Sequence, residues 1–222
     1  MRNQFHIKLE NYSLEKFKKS LQRREMIPSR MILKEDIEER FAKLEKRQLS
    51  NLKELTDRLK TKSKIEEFSK EAGLSIEYLT ILNREAKSYI PKPTRIDKYA
   101  GIERNHIKRL DSAGIKNTRH ILDQAGEKDK REELTQKTGL PIEALNEIVC
   151  LADLSRVYGV GPAFARMIYD MGIRTIQEFV EKTAEDFIEI YEEKTKKKAD
   201  FGTNEIQFSI ELAKDLDILV EL

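Results

Sequence analysis

The heptapeptide "GLSIEYL" at Gly73–Leu79 returns as "GLPIEAL" at Gly139–Leu145, 66 residues later. Holding that spacing without a gap sets Phe41 on Ile107, Leu44 on Leu110, Leu49 on Ile115 and Leu55 on Ile121, then Phe68 on Leu134 and Leu82 on Ile148. Apolar meets apolar each time, which is the mark of an internal repeat. Within each copy the apolar positions recur every three or four residues, a helical period and not the alternation of a strand. A third copy starts near Leu154, because "AGIKNT" from Ala113 pairs with "MGIRTI" from Met171 and sets Gly114 on Gly172. Its second half is more divergent: Leu145, Val149 and Ala152 meet Ile206, Ile210 and Ala213 only if Lys194–Lys198 belongs to a reshaped connection.

The expected fold is therefore all-α, a tandem array of short helices. Residues 1–29 read as an amino-terminal basic helix, running from about Ser13 to Arg24, with Leu14, Phe17 and Leu21 on one stripe. Residues 30–93, 94–153 and 154–222 read as the three copies, with "YIPKPT" at Tyr89–Thr94 as a linker. "SKIE" at Ser63 and "TIQE" at Thr175 carry the Ser/Thr-x-x-Glu pattern of a capping box. Pro141 and Pro162 stand where a first helical turn tolerates proline.

Composition bounds the function. Of 222 residues 37% are charged and 7% aromatic, with no Trp, as suits a helical protein with a solvated surface. No apolar run reaches membrane-spanning length and "MRNQFHIKLENYS" lacks the apolar core of a signal peptide, so a cytoplasmic protein without membrane association is expected. The lone Cys150, in "EIVCLADL", reads as a buried structural thiol. His6, His106 and His120 are scattered, so no metal site, catalytic triad or cofactor is expected, and the protein is read as a non-enzyme. Net charge is +2, but it grades from +4 over residues 1–29 and +3 over 30–93 to 0 over 94–153 and −5 over 154–222. A polyanion would feel most attraction from the basic amino-terminal half.

"YGVGPAFARMIYDMG" at Tyr158–Gly172 places two of the chain's nine glycines at the mouth of a helix. A helix start leaves N–H groups without partners and carries the positive end of the helix dipole. Such an end seats anions when nothing blocks their approach. Gly159 and Gly161 lack a Cβ and tolerate positive φ, so Gly159–Val160–Gly161 can turn tightly while Val160 points inward. A tight turn without any ligand is the structural alternative.

"VYGVGPAFARMIYDMGIRTIQEF", Val157–Phe179, resembles the helix-hairpin-helix motif of X-family DNA polymerases, Holliday-junction branch-migration proteins and DNA-uptake receptors. The likeness rests on the Gly-apolar-Gly turn, the small Ala165, the turn at Gly172–Ile173 and the helix carrying Phe179. Residues 30–222 also resemble an uncharacterised prokaryotic family built from such helix-hairpin-helix, or SAM-like, units. The resemblance implies sequence-independent binding of backbone phosphates on DNA or possibly RNA. It assigns that role to Gly159, Val160, Gly161 and Ala163, with charge from Arg156, Arg166 and Arg174. Copy two keeps Gly101 but has Glu103 for the second glycine, leaving Gly101 and Arg104 as a weaker counterpart; copy one has Glu35 and Ile37 there. The glycosylase lysine that follows such a hairpin falls at Ala163, so no lyase chemistry is implied. A protein-interaction scaffold or self-associating helical repeat is the alternative function, and the oligomeric state is open.

Overall fold

A computed structural model describes residues 5–222; Met1–Gln4 of the amino-terminal segment lie outside them. The described residues form helices and turns without a strand beyond two isolated bridges, so the chain is all-α. The described residues divide into two compact units, one from Lys8 to Ile90 and one from Pro91 to Leu222 together with residues 5–7. The division falls inside the proline-containing stretch read as a linker. None of the described helices is long and apolar enough to cross a membrane.

The first unit holds α1 (Leu14–Arg23), α2 (Ile37–Glu45), α3 (Leu52–Arg58), α4 (Lys62–Ala72) and α5 (Ile76–Ser88). Ser13 caps α1 by accepting from the Lys16 amide at 3.1 Å. The stripe expected on α1 is buried: Leu14, Phe17 and Leu21 are at most 1% exposed. Phe17 meets Phe41 of α2 and Tyr89 just past α5, with ring centroids 6.1 and 5.4 Å apart, so α1 packs within this unit. Buried Glu85 accepts from Arg24 and Arg30 on its two oxygens.

The second unit holds α6 (Arg104–Ser112), α7 (Thr118–Ala125), α8 (Lys128–Thr138), α9 (Ile142–Leu154), α10 (Pro162–Asp170), α11 (Ile176–Val180), α12 (Ala184–Thr195) and α13 (Thr203–Ala213). Two buried clusters flank α9. Leu145, Ile148, Val149 and Ala152 face one with Leu110, Ile121 and Leu134; Leu151 and Leu154 face the other with Ile168, Phe179 and Phe187. Burial on both sides explains why α9 reads as an apolar run and not an amphipathic stripe.

Elements recur at the spacing of the sequence. Helices α4 and α5 begin and end 66 residues before α8 and α9, and α3 begins 66 before α7. Asn51 and Asn117 cap α3 and α7 alike, each accepting a backbone N–H at 3.0 Å. Leu44 and Leu110 are both fully buried. Helices α6 and α10 coincide, start and end, at 58. Even the short bridges match: Ser13 pairs with Asn51 as Arg95 pairs with Asn117, so the residues before α1 fill in the first unit the place that Arg95 fills in the second.

Caps depart from expectation in three places. Thr61, two residues before Ser63, caps α4 through the Lys64 amide. Thr175 caps α11, but Glu178 answers to the Arg174 amide, one residue outside a true box. Pro141 is the cap residue of α9 and lies before its first turn. Thr183 with Asp186 forms a complete capping box at the start of α12.

Candidate nucleic-acid interface

The site is built on the connection from α9 to α10. As α9 ends, the Arg156 and Val157 amides fold back onto the Asp153 and Leu154 carbonyls at 2.9 and 3.1 Å, and Val160 N–H reaches Val157 O at 3.1 Å. Gly159 takes φ +78°, which turns the chain and sends Val160 into the core at 8% exposure. Ala165 is fully buried, and the absence of a larger side chain there lets α10 pack closely. Tyr158 lies edge-on to Phe208 of α13 with centroids 5.1 Å apart.

The two glycines have different reasons to be glycine. Gly159 needs the left-handed backbone. Gly161, expected to share it, instead sits at φ −89° and ψ 178°, extended geometry open to any residue. A Cβ at Gly161 would meet no heavy atom within 4 Å. Neither the backbone nor packing requires glycine at Gly161. Glu103 stands at the matching place before α6 in the same extended geometry, φ −62° and ψ 135°. Pro162 is the first residue of α10, and exposed Gly161 and Ala163 flank it on the unpartnered amide end of that helix.

The arginines expected to frame the turn are engaged elsewhere. Arg156 is not at the surface: it is 1% exposed, its Nη1 lies 2.5 Å from Asp153 Oδ1, and it donates to the carbonyls of Phe5 and Asp217 at 3.0 and 2.6 Å. Burial raises the Asp153 carboxyl and lowers the Arg156 guanidinium, each opposed by the other's charge. Asp153 Oδ2 also accepts the Ile176 amide at 2.9 Å, so the pair ties the turn to the start of α11. Arg166 pairs with Glu147 and, at 3.5 Å, with Asp170. Its guanidinium lies over Gly101: a Cβ there would stand 3.3 Å from Arg166 Nη2. Gly101, at φ +83°, is exposed, with the Arg166 guanidinium against the side a Cβ would occupy. Arg174 stacks on Tyr169, 3.8 Å from the ring centroid, and donates to Tyr169 O at 2.8 Å. Arg104 is exposed at the start of α6.

The Lys194–Lys198 stretch, read in the sequence as part of a connection, is followed by an aromatic contact. Phe201 lies edge-on to Phe164, in the first turn of α10, with centroids 5.5 Å apart. Lys196, at φ +57°, ends α12, and Lys196, Lys197 and Lys198 are exposed; no carboxylate among the described residues pairs with them. Phe201, three residues past the tract, thus packs on the first turn of α10. Asp153 was missed altogether, since it closes an apolar run, although Asp-x-x-Arg at a helix end is a spacing that allows an ion pair.

The acids of α12 lie apart in role: Glu185, Glu189, Glu192 and Glu193 line a groove of about 540 Å³ with Ile188 and Thr203. No group of His, Cys, Asp or Glu among the described residues could hold a metal ion. Cys150 is buried, and burial with Asp153 nearby pushes its thiol up to about 12.

Residues 100–216 match the family described as Domain of unknown function (DUF4332). The chain belongs to that family. The match spans α6 to α13 and so takes in both the α9–α10 turn and the lysine tract. No curated protein and no solved structure matches the chain.

Proposed function

We propose that this DUF4332 chain is a non-catalytic protein that binds nucleic acid, foremost DNA, through backbone phosphates and without reading sequence. The helix-hairpin-helix likeness of Val157–Phe179 suggests the mode, and Gly161 carries the reading. A residue whose backbone and surroundings would accept a side chain, yet has none, leaves the amide end of α10 open to a ligand. Gly159 shapes the turn, Gly161 and Ala163 present the N–H groups, and Lys196–Lys198 supply the charge that Arg156 and Arg166 do not.

Backbone recognition has a thermodynamic signature, because each neutralised phosphate releases condensed counterions. Two duplexes of unrelated sequence are expected to bind equally at about 50 mM salt and to weaken steeply as salt rises. Unequal affinity, or a flat salt profile, speaks against phosphate binding. The rival reading, a protein-interaction scaffold, draws on the internal pairing of Arg156 and Arg166; absence of any duplex binding favours it.

A further inference from the structure

A cleft of about 330 Å³ lies where α6 and α8 end, lined by Lys108, Arg109, Ser112, Ala113, Lys137 and Thr138. Three of the six are cations and none is an acid. Among the described residues no carboxylate pairs with Lys108, Arg109 or Lys137, and all three are exposed. Helix carboxy termini attract cations, and Arg109 answers that need by donating to Gly139 O at 2.5 Å. The hydroxyls are spent on their own helices, Ser112 on Lys108 O and Thr138 on Leu134 O. Lys108 and Lys137 are left over. Like charges around one concavity repel each other and concentrate an anion there.

The first unit carries different charges at the corresponding place, and the arginines that pair with Glu71 there, Arg47 and Arg58, fall on Ala113 and Gln124 in the second. Sixty-six residues before Lys137 stands Glu71, and it pairs with Arg47 at 3.6 Å and with Arg58. Lys43, the counterpart of Arg109, pairs with Glu39 at 2.7 Å. Where copy one carries its own carboxylate, copy two carries Lys137.

We infer that the α6–α8 cleft binds a phosphate group, supplied by the nucleic-acid backbone. The source rests on the proposed function; the phosphate chemistry does not. Lys108 and Lys137 hold the anion from two sides, and Arg109, fixed by Gly139, sets the floor.

Lys137→Glu tests it, since it installs the residue that copy one has at this position. Folding is checked by the thermal transition, and Lys137→Gln serves as a second, neutral variant. With a duplex as probe, Lys137→Glu is expected to bind roughly threefold to tenfold more weakly and to lower the salt slope by about one, with Lys137→Gln between. With inorganic pyrophosphate as probe, amide resonances of Ser112, Lys137 and Thr138 are expected to shift in the parent and stay still in Lys137→Glu. Parental duplex affinity and slope in both variants, with no pyrophosphate shifts at these amides, overturns the cleft while leaving the hairpin reading intact. Pyrophosphate shifts without duplex binding keep the phosphate site, reject the nucleic-acid source and reject the proposed function. Loss of binding in Lys137→Glu with none in Gly161→Asp keeps the cleft and removes the hairpin.

Discussion

Asp153 and Arg156, one helical turn apart at the end of α9, form a buried ion pair at 2.5 Å, with both side chains at most 4% exposed. Its hydrogen bonds reach Phe5, Ile176 and Asp217, so three distant segments converge on the turn that precedes Gly159. The pair presents no charge at the surface; it sets the geometry of the α9–α10 connection.

Removing one partner leaves the other charge buried alone. Asp153→Ala is expected to destabilise the second unit by about 3–5 kcal/mol, since it also orphans the Ile176 amide. Asp153→Asn keeps an acceptor for that amide and is expected to cost less. Chemical denaturation compares the two; equal stability of Asp153→Ala and parent would show that the pair holds nothing in place.

Two glycines give opposite outcomes with alanine. A Cβ at Gly126 would collide with the backbone carbonyls of Leu219 and Leu122. The Glu221 amide bonds to Gly126 O at 3.2 Å, and buried Arg131 donates to the carbonyls of Ala125, Gly126 and Glu221. Gly126→Ala must displace that closing segment, at about 1–3 kcal/mol. Gly161→Ala, with open space and an extended backbone, is expected to leave the thermal midpoint where it is or raise it slightly. A fall in stability at Gly161→Ala beyond that at Gly126→Ala contradicts both statements.

The helical fold was legible because apolar spacing is a local property, and the 66-residue return of Leu44 at Leu110 needed no structure. The arginines were misread for the opposite reason. Arg156 and Arg166 lie within a few residues of the glycine pair, but their partners are decided by three-dimensional packing: Phe5 and Asp217 for one, Glu147 and Gly101 for the other. Gly161 was assigned a left-handed backbone because sequence cannot tell which glycine of a pair makes the turn. Lys137 joins Lys108 and Arg109 only because the ends of α6 and α8 line one cleft, a meeting of residues about thirty apart that apolar spacing does not reveal.

Arg166 and the lysine tract separate structural from binding charge. Arg166→Ala frees Glu147 and removes the guanidinium beside Gly101, so a loss of roughly 1–2 kcal/mol in stability is expected, with the salt slope of duplex binding unchanged. Replacing Lys196, Lys197 and Lys198 by Gln is expected to leave stability near parental and to lower the slope by about one for each lysine that contacts phosphate. The reverse pattern would return Arg166 to the interface.

Cys150 is expected to be silent. A thiol pushed up to about 12 stays protonated far above neutrality, and the thiolate is the reactive form. A disulfide reagent at about pH 8 should react with unfolded chain and leave native chain unlabelled over the same time. Prompt labelling of the native protein would place the thiol at an open surface.

Gly161 tests the central claim most directly, because a side chain there alters the face offered to a ligand and little else. Duplex affinity is measured at about 50 mM salt for the parent, Gly161→Ala and Gly161→Asp, with thermal midpoints taken in parallel. Near-parental midpoints are expected for all three, with a modest loss of affinity for Ala and a loss of roughly tenfold or more for Asp, whose carboxylate repels the phosphate it blocks. Parental affinity in a folded Gly161→Asp protein would contradict the claim.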